Sequence, residues 1–161
     1  MERVIRELVY SLKYRNVRAV APELARLLAT YLESNNIPGQ VIVPVPLHAR
    51  RLRERGYNQS DLLARELSRG TDVPLETRML RRTRNTPPQV SMTAPAERRR
   101  NIEGAFDCTS GVNGKRVLLI DDVVTTGSTM SACAAPLKEA GVASVLGLAL
   151  ARQGRDDRGD R

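Results

Sequence analysis

Apolar residues recur at three- and four-residue steps in the first quarter of the chain and gather into short unbroken runs later. Over 2–14, Val4, Ile5, Leu8, Val9 and Leu12 share one helical face. Leu24, Leu27, Leu28, Tyr31 and Leu32 repeat that spacing behind Pro22, a residue tolerated in a first helical turn. Ser34-Asn35-Asn36 closes this second helix. Beyond Gly39, the run 41–45 reads as a short buried strand, with Pro44 placing it at a sheet edge or its tip at the sheet boundary. A basic loop follows, then a helix over about 60–68 with Leu62, Leu63 and Leu67 inward, and a weak strand over 73–80. The stretch 81–96 holds three prolines and three threonines without any apolar period. A loop of that length inside a compact domain is usually functional or disordered. A helical turn is expected over 97–101. The strongest strand is 117–120, opened by the Asn113-Gly114 turn; a helix runs from 127 to about 140, closed by Gly141 and kinked or shortened by Pro136. The last strand covers 142–151, and 153–161 reads as a polar, fraying tail.

Strand, helix and strand over 117–120, 128–140 and 142–150 form a βαβ unit. With helices also flanking 41–45, the fold class is α/β, a mostly parallel sheet flanked by helices. Ligands in such sheets bind beyond the carboxyl ends of the strands, which puts the loops after Val45 and Ile120 on one rim. The chain of 161 residues is long enough for one domain, expected over 1–152.

Composition narrows the class. Hydrophobic residues make up 41% and charged residues 27%, which excludes wholesale disorder and fibrous repeats. The longest nearly apolar run, 142–151, is half of the about 20 residues a bilayer span needs, so no membrane insertion is expected. Two cysteines without a visible signal segment point to buried thiols in a reducing, cytoplasmic compartment. Cys108 and Cys133 read as structural, since neither neighbours a histidine or a second cysteine. The net charge of +8 is local: 48–55 carries four Arg against one Glu, and 78–100 seven Arg against one Glu, so the remainder is close to neutral. Such concentration implies an anionic partner. Aromatics at 3% argue against stacking platforms for single-stranded nucleic acid.

The string VLLIDDVVTTGST, 117–129, carries the clearest chemistry. Its apolar start runs into Asp121 and Asp122 at the strand end, and Val124, Thr125, Thr126, Gly127, Ser128 and Thr129 lead into a helix. A helix N-terminus offers unpaired N–H groups and partial positive charge to a phosphate. The glycine permits close backbone approach, and the hydroxyls add donors. Adjacent carboxylates repel that phosphate and are satisfied by sugar hydroxyls or a divalent cation. A ligand with a phosphate at one end and a sugar beside it meets both demands. Neither the Walker A pattern nor a dinucleotide G-x-G-x-x-G occurs. The plainer alternative is a buried strand with solvated acids and a capped helix. In 44–60, PVPLHARRLRERGYNQS, Arg50, Arg51, Arg53 and Arg55 follow a strand end on the same rim, suited to bidentate phosphate contacts or to a solvated basic turn. His48, the single histidine, reads as a loop or packing residue. Asn58 or Ser60 serves a helix cap.

The string 117–129 resembles the phosphoribosyl pyrophosphate (PRPP) site of type I phosphoribosyltransferases. Together with Leu12-Lys13-Tyr14-Arg15, the 44–60 string, and TPPQ and ERRRNIEGAF within 81–106, the chain is similar over about 4–152 to the ComF/GntX-like phosphoribosyltransferase family. That resemblance implies a type I phosphoribosyltransferase fold, PRPP as substrate with Mg²⁺, and transfer of phosphoribosyl to a nitrogenous acceptor with release of pyrophosphate. It assigns Asp121 and Asp122 to the ribose hydroxyls and the metal, 124–129 to the 5-phosphate, and Arg50 and Arg51 to pyrophosphate. Tyr57, Asn58 and Gln59 are further candidates to line the pocket, and Lys13 either reaches it or stands at a solvated helix end. Segment 81–101 becomes a flap in which Arg82, Gln89, Arg98 and Asn101 close over ligand, and 1–36 a helical hood. The family is associated with natural competence and DNA uptake, so single-stranded DNA or uptake machinery is a further partner, and a homodimer stays open. A module that binds DNA without catalysis, or a sensor of PRPP or a nucleoside monophosphate, remains an alternative. Family members often carry an N-terminal zinc module of CxxC pairs; this sequence has no CxxC, so no zinc is expected, the module being either missing or upstream of Met1.

Overall fold

The computed structural model describes residues 18–84, 102–109 and 113–152. The expected helix over 2–14 with Lys13, the greater part of the flap with Gln89, Arg98 and Asn101, and the tail lie outside them. A 3-10 turn, Arg18–Val20, leads into helix α1, Ala21–Ser34, with Pro22 in its first turn. Strand β1, Val41–Pro44, is followed by helices α2, Ala49–Arg55, and α3, Gln59–Thr71. Strands β2, Leu80–Arg82, and β3, Phe106–Cys108, pair antiparallel. Strand β4, Arg116–Val124, helix α4, Ser128–Glu139, and strand β5, Ser144–Arg152, complete the described chain.

The principal sheet has the order β1-β4-β5 with both pairings parallel, and Pro44 tolerates its place because β1 is an edge strand. The alternation of side chains builds one core on each face. Ile42, Leu118, Ile120 and Leu148 meet Leu24, Leu28 and Leu32 of α1 and Leu63 and Leu67 of α3. Val41, Val43, Val117 and Leu119 meet Cys133 and Leu137 of α4, with Leu80 and Phe106 of the β2–β3 pair. The α/β class with a mostly parallel sheet is therefore the observed one, and α1 is a core helix packed on α3 and the sheet.

Four local readings are corrected. The basic loop after β1 is helix α2: His48 caps it, Nδ1 accepting from Arg50 N–H at 3.2 Å, and Gly56 closes it at φ 79°. No α2 residue is buried, so no apolar period announced the helix. Strand 117–120 extends to Val124, because β5 runs alongside with Asp121 opposite Ala149 and Val123 opposite Ala151. The weak strand over 73–80 contributes only a bridge, Leu75 to Ile42, before β2 begins at Leu80. Pro136 does not end α4, which runs three residues beyond it, with Ala140 N–H donating to the Pro136 carbonyl at 3.0 Å.

Candidate functional site at the carboxyl rim of the sheet

β1 stops at Pro44, opposite Ile120, while β4 continues through the two acids. On its β1 side, β4 thus loses its strand neighbour where the carboxylates begin. The first turn of α3 takes up that edge. Asn58, the helix cap, accepts from Ser60 N–H at 3.1 Å and donates from Nδ2 to the Val45 carbonyl at 2.9 Å, which fixes α3 to the end of β1. Ser60 Oγ donates to Asp121 Oδ1 at 2.9 Å, and Gln59 Nε2 donates to Asp122 Oδ2 at 3.4 Å. The strand adds its own donors: Asp122 N–H to Asp121 Oδ1 at 2.9 Å, and Val123 N–H to Asp122 Oδ1 at 2.7 Å. Asp122 is 4% exposed, Gln59 3% and Ser60 4%, whereas Asp121 is half-buried. Tyr57 is buried beside this turn.

Downstream, the chain turns through Thr125 and Thr126 to Gly127, the cap of α4, at φ 79°. Gly127 has no side chain with which to cap the helix, and a Cβ placed there would meet nothing within 4 Å. The space over the helix N-terminus is an open cradle, rimmed by Thr126 and Ser128, whose hydroxyls share a hydrogen bond of 2.7 Å. Val124, Thr125 and Thr129 are half-buried around it.

Positive charge gathers beside Asp121. The Arg82 guanidinium, on β2, lies 5.4 Å from the Phe106 ring centroid. Its pKa is lowered, first by burial and then by Arg51, and drawn back up by Cys133 and Asp121. Arg82 is thus within electrostatic reach of both Arg51 and Asp121, although the three come from α2, β2 and β4. Two guanidinium groups held together repel, and an anion between them relieves that repulsion. Arg50 instead pairs along the helix with Glu54 at 2.9 Å, exposed on both sides. Cys133, fully buried, has its thiol pKa pushed well up by burial and by Asp121, against a smaller downward pull from Arg82.

Among the sequence-derived candidates, the structure brings together Asp121, Asp122, Gln59, Asn58, Arg51, Arg82 and the 124–129 turn. It places Arg50 outward. Sequence reasoning missed Ser60 as a partner of Asp121 and Cys133 as its neighbour; the polar triplet Asn58-Gln59-Ser60 before the first apolar residues of α3 was the available signal. Among the described residues no cluster of three or more His, Cys, Asp or Glu could cage a metal. A separate groove of about 380 Å³, lined by Leu32, Ile37, Gly39, Val73 and Leu118, lies at the amino end of β1, away from the acids.

A parallel sheet whose switch from strand to helix offers paired acids and an open helix N-terminus puts the candidate site where open α/β sheets bind their ligands. The chain belongs to the phosphoribosyl transferase domain family, whose model matches residues 13–160, and within it to the ComF-like type I members. It is 36% identical over 154 residues to Competence protein F of Haemophilus influenzae, covering 90% of this chain and 66% of that protein. It is 38% identical over 144 residues to DNA utilization protein YhgH of Escherichia coli strain K12, covering 86% of this chain and 63% of that one. The chain therefore spans under two-thirds of the length of these curated relatives. Among solved structures, glutamine PRPP amidotransferase from B. subtilis, complexed with ADP and GMP, superposes with a TM-score of 0.57 at 23% identity, over 83% of this chain and 26% of that one. A purine phosphoribosyltransferase from Pyrococcus horikoshii superposes with a TM-score of 0.51 at 20% identity, over 82% and 72% of the two chains. Both likenesses concern the fold.

Proposed function

We propose that the chain binds PRPP and transfers its phosphoribosyl group to a nitrogenous acceptor. The observation that carries this reading is the continuous β4–α4 unit, in which Asp121 and Asp122 precede the open Gly127 cradle by only a few residues. The cradle takes the 5-phosphate through backbone N–H groups and the hydroxyls of Thr125, Thr126, Ser128 and Thr129. The carboxylates accept hydrogen bonds from the ribose hydroxyls. Arg51 and Arg82 face the pyrophosphate end, where negative charge develops as the bond from C1 to the pyrophosphate oxygen breaks. That oxygen leaves with the electron pair, the acceptor nitrogen forms the new bond to C1, and the nitrogen's proton passes to solvent or to the departing pyrophosphate. The protein's part is positioning and preset charge.

Carboxylate oxygens suit Mg²⁺, so Asp121 and Asp122 would help hold a cation brought with the ligand, which would supply charge neutralisation at the pyrophosphate. The free, half-buried Cys108 and buried Cys133 fit a reducing cytoplasm.

The test is a calorimetric titration of the folded chain with PRPP in Mg²⁺, followed by pyrophosphate release against a panel of nitrogenous bases. Saturable binding with release supports transfer. Binding without release in any base supports a PRPP or nucleoside monophosphate sensor, and no binding refutes the reading.

A second reading draws on α2, a helix with four arginines and no buried residue, and on relatives named for competence and DNA utilization. The basic face would hold single-stranded DNA or an acidic uptake partner. The paired substitution Arg53→Ala and Arg55→Ala then weakens DNA binding and reduces the salt slope for single-stranded DNA by about 1.4. An unchanged slope excludes DNA from this face.

A further inference from the structure

The first turn of α3 carries more polar machinery than a helix start requires. Asn58 alone completes the cap, yet the next two residues are also polar and buried, and both point to β4. Gln59 is the odd one energetically. Its Nε2 makes a single long bond to Asp122, and its Oε1 is buried without any hydrogen-bond partner. A buried acceptor left unsatisfied destabilises a fold, and an apolar side chain of the same size avoids that penalty. The cost at Oε1 comes together with one contact: the amide holds Oδ2 of the buried Asp122 carboxylate, while Val123 N–H is bonded to Oδ1. Ser60 does the equivalent for Asp121, joining Asp122 N–H on Oδ1.

The parity of a strand explains why such a device is needed. Adjacent residues of β4 send their side chains to opposite faces, Leu119 with one core and Ile120 with the other. Asp121 and Asp122 would therefore diverge. A turn of helix at the open edge, where β1 has ended, reaches both.

We infer that Gln59 and Ser60 are positioning residues that hold the Asp121 and Asp122 carboxylates in the joint orientation needed to receive the two hydroxyls of a pentose. This rests on the PRPP reading, and it adds that recognition of the sugar depends on α3 and is separable from recognition of the phosphate. The phosphate cradle at Gly127 shares no hydrogen bond with Gln59 or Ser60 among those described.

The experiment measures two ligands on the full chain and on its variants Gln59→Met, Ser60→Ala and Ser60→Thr. The ligands are PRPP with Mg²⁺ and inorganic phosphate alone, and the melting temperature of each protein is recorded. Gln59→Met removes the unsatisfied Oε1 but also takes the amide from buried Asp122, so the two effects oppose and the melting temperature is expected to change little. PRPP affinity is expected to fall about tenfold in Gln59→Met and in Ser60→Ala, because a carboxylate no longer held must be ordered when the sugar binds. Phosphate affinity stays at the wild-type value, and Ser60→Thr, which keeps the hydroxyl, restores PRPP binding. Should Gln59→Met fail to fold, the serine pair carries the same comparison. PRPP affinity unchanged in the variants overturns the inference alone. An equal loss of PRPP and phosphate binding also overturns it, since α3 would then serve only the general architecture. A wild-type chain that binds no PRPP refutes the functional reading and the inference with it.

Discussion

Gly127 concentrates two demands on one residue. Its φ of 79° lies where a Cβ is strained, and the space a Cβ would enter is empty. Gly127→Ala therefore suffers no collision, and its stability cost is conformational, about 1–2 kcal/mol. The new methyl group projects into the cradle. A urea titration checks the first effect, and the affinity for inorganic phosphate checks the second, expected to fall by about tenfold or more. At the acids the sign reverses between ligands. Converting both Asp121 and Asp122 to Asn removes two charged acceptors for the ribose hydroxyls, so PRPP affinity drops about 100-fold, at about 1.5 kcal/mol or more for each. Phosphate affinity holds or rises, because two negative charges near the cradle are gone. A parallel fall of both ligands would mean that the acids do not read the sugar.

At the level of elements, the amino end of β1 offers a control. A Cβ on Gly39 would lie 2.3 Å from Leu118 Cδ1, in the middle of the sheet core. Gly39→Ala overpacks that contact and is expected to cost about 1–3 kcal/mol, with PRPP affinity spared because the site lies at the other end of the strands. Equilibrium unfolding and calorimetry on the same sample separate the two effects. How far each element could be read from the chain follows the same logic of burial. Strand 117–120 was plain because four apolar residues in a row are buried between two helical layers. Its extension to Val124 was hidden, since pairing with β5 uses backbone groups that carry no apolar signature. Helix α2 was hidden because caps and the Arg50–Glu54 pair define it and no face is buried. The acids and the cradle were legible as a local string. Their tie to Gln59 and Ser60 was not, since residues some sixty positions apart meet only through the parallel crossover. The approach of Arg82 to Arg51 and Asp121 depends likewise on the β2–β3 pair, whose three-residue strands leave little pattern.

For the whole molecule, the two thiols report on how the core closes over the site. Cys108 is half-buried at the end of β3, while Cys133 is fully buried behind Asp121, its pKa held well above the ordinary 9.0 by burial and by that carboxylate. Thiolate is the reactive form, so at neutral pH a small alkylating reagent modifies Cys108 in the native protein and reaches Cys133 only when the core opens. One label per chain is expected without urea and two above the unfolding midpoint, counted by intact mass. The same burial fixes the direction of the alkaline response. In the unfolded chain the thiol loses its proton near the ordinary value, whereas in the folded chain it keeps it. Between those two points the folded state binds more protons, so the stabilising contribution is complete below about pH 9 and is lost as pH rises toward the folded value. Removing the ionisable group with Cys133→Ala creates a small cavity and lowers stability at every pH, but it flattens the decline above pH 9. A wild-type slope unaltered by that substitution would place the alkaline sensitivity elsewhere in this arginine-rich chain, and native labelling of both thiols would show that the layer between α4 and Asp121 is open.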